Sequence, residues 1–493
     1  MKTLLKITGG ILATIILLMI IAFIAINTDY VQNKALHYAT EKLSERLKTE
    51  VKAERISINF LKFTLDLHGI SAVLHGKKAD NFLSVKSMRL RGYSVELNEL
   101  KFVTDNYKPR KNEGRPKRGW FDAGHLDITA NLKLHINHWQ KDSINASIFE
   151  GTAIDTLSGF HINDLHMQVT SDFKNLYVQN AVIRQGNTEI HIPEVEMQLP
   201  SKKKGIGLSY HTTKPLTARV ILQDISRLFT PALAQFTLPL GLSVNVSGTD
   251  NTMVFDDIQI KTEDEKFQLA ASGGIEHLKN KYLLNISFHV DKMTAKQGSA
   301  AQIIQQFPVK KYMMKQLGNL GNISYKGDFS VLRKREVFSG LIGTAVGDIS
   351  LQSLIINDST KYISGKVGTN NLELGKALGM DDIGKIMADA TFEFDISKER
   401  TAKMRQQLGG KLPMGTLKAK VDEAKYKVLK VKNATLEMSS NGAVAEGLLV
   451  ISSRILDSKF SFTFTDTNEM HKMKVKPAVK VKLFSKKKKR EKD

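Results

Sequence analysis

Cysteine is absent from the 493 residues. That excludes a disulfide framework, a thiolate nucleophile and any zinc or iron–sulfur site built on thiolates. The same absence is compatible with the cytosol and with a bacterial envelope compartment. Proline and glycine are not in excess, at 10 and 34 residues, so a low-complexity chain is excluded. No Walker loop, nucleophile elbow or dinucleotide fingerprint occurs. The 13 histidines fall only into loose pairs, His135 with His138 and His161 with His166, without a metalloprotease pattern; they read as surface or sheet residues. No catalytic set, metal site or cofactor is expected, and the chain reads as non-enzymatic.

Positive charge, by contrast, is abundant. Lys and Arg number 72 against 50 Asp and Glu, a formal net charge of +22. Anionic lipid, acidic glycolipid and nucleic acid would all answer such a field. Part of the excess is local: Lys474, Lys476, Lys480, Lys482 and the run from Lys486 to Arg490 mark 472–493 as a basic, solvated tail. Nucleic acid is disfavoured as a partner, because no stacking aromatics or reading element accompany the basic residues.

The longest apolar run, from Ile7 to Ile26, has about the 20 residues that a membrane-crossing helix needs. Lys2 and Lys6 precede it, which favours a cytoplasmic amino end. Residues 1–27 therefore predict an uncleaved membrane anchor with a short cytoplasmic start. A cleaved signal peptide is the competing reading, against which Phe23 stands where a small residue would be expected before an exit at Ala25. Over 28–50, Ala35, Leu36, Ala39, Leu43 and Leu47 form the apolar stripe of an amphipathic connecting helix.

From Val51 the period changes to 2. Ile56, Ile58 and Phe60 alternate with Ser57 and Asn59; Phe63, Leu65 and Leu67 then alternate with Thr64 and Asp66, the phase change predicting a bulge or bend. Leu126, Ile128, Ala130, Leu132, Leu134 and Ile136 alternate with His125, Asp127, Thr129, Asn131, Lys133 and His135. Shorter signals follow in Leu242, Val244 and Val246; Phe255, Ile258 and Ile260; Phe392 and Phe394; and Phe460, Phe462 and Phe464. These predict half-buried antiparallel strands over 51–471. Reversals are expected at 248–251, at Gly273-Gly274 and at Gly409-Gly410, and short helices over 221–235, 295–317, 377–388 and 397–408. Alternation alone leaves two readings of the apolar stripe: the sealed core of a sandwich or barrel, or one wall of an open groove.

Several patches follow one another in a set order. Leu43 to Val51 leads to Ile56-Ser57-Ile58-Asn59-Phe60 and Leu67-His68-Gly69-Ile70; then come 121–130, 158–165, 321–329, 343–348, 362–367 and 372–379. Their order resembles the AsmA/TamB-like envelope family, especially the N-terminal portion of its Bacteroides-type TamB members. Long TamB-like proteins continue into a further C-terminal domain, whereas here a Lys-rich stretch follows Phe464.

The resemblance implies a mainly β fold: a single N-terminal transmembrane helix, then an elongated, curved antiparallel β-sheet groove with short helical interruptions. It implies single-pass attachment to a bacterial inner membrane with the main body periplasmic. It also implies non-enzymatic phospholipid transfer between inner and outer membranes, the alternative being a scaffold or assembly factor for outer-membrane proteins. Phospholipid is the expected partner, with anionic membrane surfaces and outer-membrane assembly proteins beside it. The lipid-facing candidates are Ile56, Ile58, Phe60, Leu126, Ile128, Leu132, Leu134, Val244, Val246, Phe460 and Phe462.

Overall fold

The computed structural model describes residues 28–47, 49–59, 62–74, 81–104, 126–140, 142–172, 174–200, 207–229, 231–278, 280, 282–296, 298–306, 317–427, 429–452 and 456–481. They fall into two compact units, the first ending at Pro239 and the second starting at Leu240.

The first unit is an antiparallel sheet of near neighbours in sequence. β1 (Val51–Lys52) and β2 (Arg55–Asn59) both pair with β3 (Thr64–Leu74). The ladder continues through β4 (Asn81–Arg91), β5 (Ser94–Thr104), β6 (Asp127–Trp139) and β7 (Ile144–Asp155). β7 pairs with β8 (Phe160–Ile162) and β9 (Asp164–Ser171), followed by β10 (Asn175–Gln185) and β11 (Thr188–Gln198). β11 then pairs with β12 (Ser209–Thr212) and β13 (Leu216–Ile221).

The second unit repeats the plan. Its strands are β14 (Pro239–Thr249), β15 (Thr252–Thr262), β16 (Phe267–Glu276), β17 (Asn285–Ala295), β18 (Ile323–Leu332), β19 (Arg335–Thr344) and β20 (Gly347–Asn357). They continue as β21 (Tyr362–Glu373), β22 (Ile383–Asp395), β23 (Met414–Tyr426), β24 (Leu429–Asn441), β25 (Val444–Ser452), β26 (Leu456–Asp466) and β27 (His471–Val481). Each is antiparallel to the next. The expected antiparallel sheet is present in both units.

Bulges keep one face apolar along strands whose sequence breaks phase. Phe255 and Ile258 are separated by two acidic residues, which in regular alternation would throw them onto opposite faces. Asp257 takes φ 50 and the register shifts between Phe255 and Ile258, so both stay on one side. Leu97 and Leu100 are kept together in the same way by Glu99 at φ 49, and Val178 and Ala181 by Asn180 at φ 52. A left-handed non-glycine residue costs about 1 kcal/mol or more. Retaining a large apolar side chain on its face is worth about 1.5–3 kcal/mol, so the bulge wins.

Helices occupy strand ends. They are α1 (Asp29–Leu47), α2 (Leu222–Phe229) with a 3-10 turn at Pro231–Gln235, α3 (Ser299–Gln305), α4 (Leu374–Leu378) and α5 (Lys398–Leu408). α1 lies along β1 and β2 and makes backbone-like bonds to both. The Gln32 side chain donates from Nε2 to Ile58 O at 3.0 Å and accepts from Ile58 N at 2.8 Å. Asn33 Oδ1 accepts from Ile56 N at 3.4 Å, and Ser44 Oγ accepts from Val51 N at 2.9 Å. The docked stripe is thus Gln32 and Leu36, both buried, whereas Ala35 and Ala39 are exposed.

Four expectations are corrected. Among the described residues no helix is long and apolar enough to cross a membrane. The expected single-pass inner-membrane anchoring with a periplasmic body is corrected on that finding: the span assigned to 7–26 lies outside the described residues, and α1, the longest described helix, carries Lys34, Glu41, Lys42, Glu45 and Arg46. The phase change after Ile58 is a hairpin reversal and not a bulge within one strand, with Phe63 at φ 48 and 81% exposed in the turn. The helix over 377–388 stops at Leu378, where Gly379 turns left-handed at φ 70, and β22 begins at Ile383. The tail assigned from Lys472 is strand β27 as far as Val481, because Met473, Val475, Val479 and Val481 alternate with Lys472, Lys474 and Lys480.

α5 is pinned by a charge clamp. Asp395, whose side chain is 6% exposed, accepts from Ser397 N at 2.7 Å and from Arg400 Nη2 at 2.9 Å, and also from Arg400 Nε. Arg400 Nη2 reaches Thr360 O at 2.9 Å, and its guanidinium lies 5.0 Å from the Tyr362 ring centroid. The Arg400 hydrogen bond, outweighing burial, holds the Asp395 carboxyl below its usual range. A carboxyl depressed in the folded state stabilises it at pH values above the usual carboxylate range, and that contribution is lost as pH falls through the folded value. The amide resonances of α5 are expected to stay unchanged from neutral pH to about 4 and to shift below it. In Asp395→Asn the helix should be loosened at every pH, and an unaltered acid transition in that variant would show that the clamp is inert.

Candidate functional site

Cross-strand register sorts the side chains of each unit onto an apolar and a polar face. In the first unit one transverse line of partners runs Ile56, Leu67, Met88, Leu97, Leu132 and Gly151 from β2 to β7. A parallel line runs Ile58, Leu65, Leu90, Val95, Leu134, Ile148 and Met167.

The second unit holds a longer one. From β14 to β27 the partners are Val246, Phe255, Gly273, Phe288, Phe329, Phe338 and Leu354, then Gly365, Phe392, Leu417, Met438, Gly447, Phe462 and Val475. No polar side chain interrupts it. At about 4.8 Å per strand the line is roughly 60 Å long.

Phenylalanines of this line touch one another, with ring centroids 5.9 Å apart for Phe255 and Phe288 and 4.8 Å for Phe329 and Phe338. Its glycines lie under rings from adjacent strands. A β-carbon at Gly365 would stand 2.7 Å from Phe392 Cζ, and one at Gly447 would collide with the Phe462 ring. Gly273, expected as a reversal, lies inside β16 for the same reason, since a β-carbon there would stand 2.5 Å from Phe288 Cδ1. Glycine in a strand forfeits side-chain packing, and the neighbouring ring restores it.

Burial distinguishes this face from an ordinary core. Apart from glycine, every residue of the long line from Val246 to Phe462 is half-buried, and Val475 is exposed. Among the described residues the buried apolar positions include many alanines, such as Ala130, Ala181, Ala271, Ala295, Ala434 and Ala445, and a single phenylalanine, Phe236. In a close-packed interior, phenylalanine would be among the most buried residues.

The opposite face carries charges in cross-strand pairs: Arg89 Nε to Asp66 at 2.7 Å, Lys133 to Glu150 at 2.7 Å and Lys418 to Glu437 at 3.5 Å. Arg184 bridges Asp164 at 2.8 Å and Glu189 at 2.7 Å, and its hydrogen bond keeps the Glu189 carboxyl below its usual range. Exposed pairs of this kind are screened by solvent and add little stability, but opposite charges directly across a ladder favour the observed register. Among the described residues no cluster of His, Asp and Glu is arranged to hold a metal ion.

The sequence-derived candidates fall on the apolar faces. Ile58, Leu132 and Leu134 lie in the two lines of the first unit, and Ile128 on the same face, partnered with Phe102; Ile56 is there too but buried at 8% exposure. Leu126 is half-buried just before β6, its N–H donating to Thr104 Oγ1 at 2.8 Å. Val246 and Phe462 belong to the long line; Phe460 is half-buried beside it, and Val244 is buried at 5% exposure. Phe60 lies outside the described residues. Phe288, Phe329, Phe338 and Phe392 were missed as candidates, although a phenylalanine alternating with polar residues and facing a glycine one strand away would have marked Phe288 and Phe392.

Compared with protein-family models, with curated proteins and with solved structures, the chain matches none.

Proposed function

We propose that the half-buried apolar faces bind the acyl chains of phospholipid and that the protein is a non-enzymatic lipid-transfer protein. The supporting observation is the unbroken transverse line from Val246 to Val475, built of large apolar side chains that keep part of their surface accessible. Each methylene of an acyl chain laid against such a wall gains up to about 0.8 kcal/mol relative to water. A single chain of ordinary length therefore supplies several kcal/mol without any specific polar contact. The other face carries the cross-strand charge pairs, so acyl chains are expected on the apolar side. In the first unit the wall residues are Ile58, Ile128, Leu132 and Leu134, and in the second Val246, Phe288, Phe329, Phe338, Phe392, Phe460 and Phe462.

A photocrosslinking residue at Leu132, Val246 or Phe462 is expected to capture phospholipid, whereas the same residue at Lys133 or Lys418 is not. Capture of nothing at any wall position in the folded protein would sink this reading. Specific capture of protein partners there, with the wall empty of lipid, would favour the scaffold alternative.

A further inference from the structure

At the last described strands of the second unit the polar face carries lysines without cross-strand carboxylates. On β26 and β27, Lys472, Lys474 and Lys476 stand opposite Thr465, Thr463 and Ser461, and Lys459 stands opposite Ala478. None of these four lysines holds an ion pair among the described residues, and only Lys480 faces a carboxylate, Asp457. Everywhere from His471 to Lys480 the strand is exposed on both faces. Its other side presents Met473, Val475 and Val479, which are 64%, 47% and 57% exposed.

Among the described residues β27 pairs with β26 alone. A further strand adding to its free side is disfavoured by Pro477, which offers no N–H, and by the lysines that stud the strand. A nucleic acid would use the lysines but leave Met473, Val475 and Val479 in water, with no Phe, Tyr or Trp on β27 for a base to stack on. A bilayer with anionic headgroups answers both sides at once: lysine stems reach the phosphates while the short apolar side chains enter the acyl boundary.

We propose that β27 docks edge-on against the headgroup layer of an anionic bilayer. Among the described residues Val475 is the last member of the long apolar line and lies on this strand, so docking brings that stretch of the wall to the membrane. The inference concerns attachment and stands apart from acyl binding, which is read at Val246 and Leu132.

The test uses the full chain, phosphatidylcholine vesicles with and without phosphatidylglycerol, and cosedimentation. The variant Lys472→Glu/Lys474→Glu/Lys476→Glu should bind the anionic vesicles about tenfold more weakly, with a flatter salt dependence and unchanged binding to neutral ones. Because the sequence holds no cysteine, Val475→Cys accepts a single environment-sensitive dye, whose emission should shift to the blue on anionic vesicles. Undiminished binding of the triple variant, with the lysines from Lys482 to Lys492 sufficing, overturns the proposal. So does a dye that stays in water, or a DNA duplex that binds through the same lysines as tightly as the vesicles do. Lipid capture at Val246 that persists in the triple variant shows that the sheet is folded and keeps the two proposals separate.

Discussion

Alanine at Gly340 is expected to break the β18–β19 pairing and to cost on the order of 3 kcal/mol or more, the sum of backbone strain and overpacking. Gly340 has φ +141, a conformation that side-chain-bearing residues rarely adopt. It stands directly opposite Gly327, and a β-carbon on it would meet the Lys326 carbonyl and lie 2.6 Å from Gly327 Cα. These are backbone atoms of a ladder that continues on both sides, so no rotamer change relieves the contact. Amide exchange should accelerate through Tyr325–Phe329 and Phe338–Ile342 while the β23–β24 ladder keeps its protection. Gly92→Asn is the control: Gly92 is also left-handed, at φ +58, but has open space around its Cα, and Asn tolerates that region. Its cost should stay under about 1 kcal/mol. Equal costs at the two sites would mean that crowding at the Gly327–Gly340 pair is unimportant.

The second large effect is expected at Gln32, which is 3% exposed and fills both hydrogen-bonding positions of Ile58. Gln32→Leu keeps the bulk but leaves an N–H and a C=O of β2 without that partner. At roughly 1–3 kcal/mol for each unsatisfied buried group, the change should cost about 2–4 kcal/mol. Part of it will be recovered if α1 lifts away and water reaches the strand. Exchange of the Ile58 amide should then rise about a hundredfold, and α1 should become an early site of proteolytic cleavage. Gln32→Glu keeps the acceptor for Ile58 N and loses the donor to Ile58 O, so it should fall between wild type and Gln32→Leu. A protected Ile58 amide in Gln32→Leu would show that helix packing through Leu36 suffices.

Much of the sheet was legible because alternation is a local property. Leu126 to Ile136 reads as one strand from its own residues, and so do Phe460 to Phe464. What alternation could not give was the transverse order. Phe288 and Phe329 are neighbours only because β17 and β18 pair in one register across an intervening connection that contains α3. Gly273-Gly274 was misread because glycine signals a reversal when viewed along the chain, and a ring-covered notch only when the next strands are known. The double polar steps at Asn98-Glu99 and Asp256-Asp257 break the period of 2 along the chain; they are the bulges that preserve the face. The basic stretch from Lys472 read as a tail because lysine dominates its composition, although its apolar positions keep a period of 2.

The one-after-the-next pairing in the second unit also bears on how such a sheet can change in length. Removing two consecutive strands there returns the chain to the side from which it left, with both faces still in phase; removing one strand would not. The line from Val246 to Val475 can therefore be shortened or extended in steps of a hairpin, about 10 Å each, without redesign of the strands that remain. Its reach is a count of hairpins, a ruler whose graduations are set by backbone spacing and whose total is free to vary.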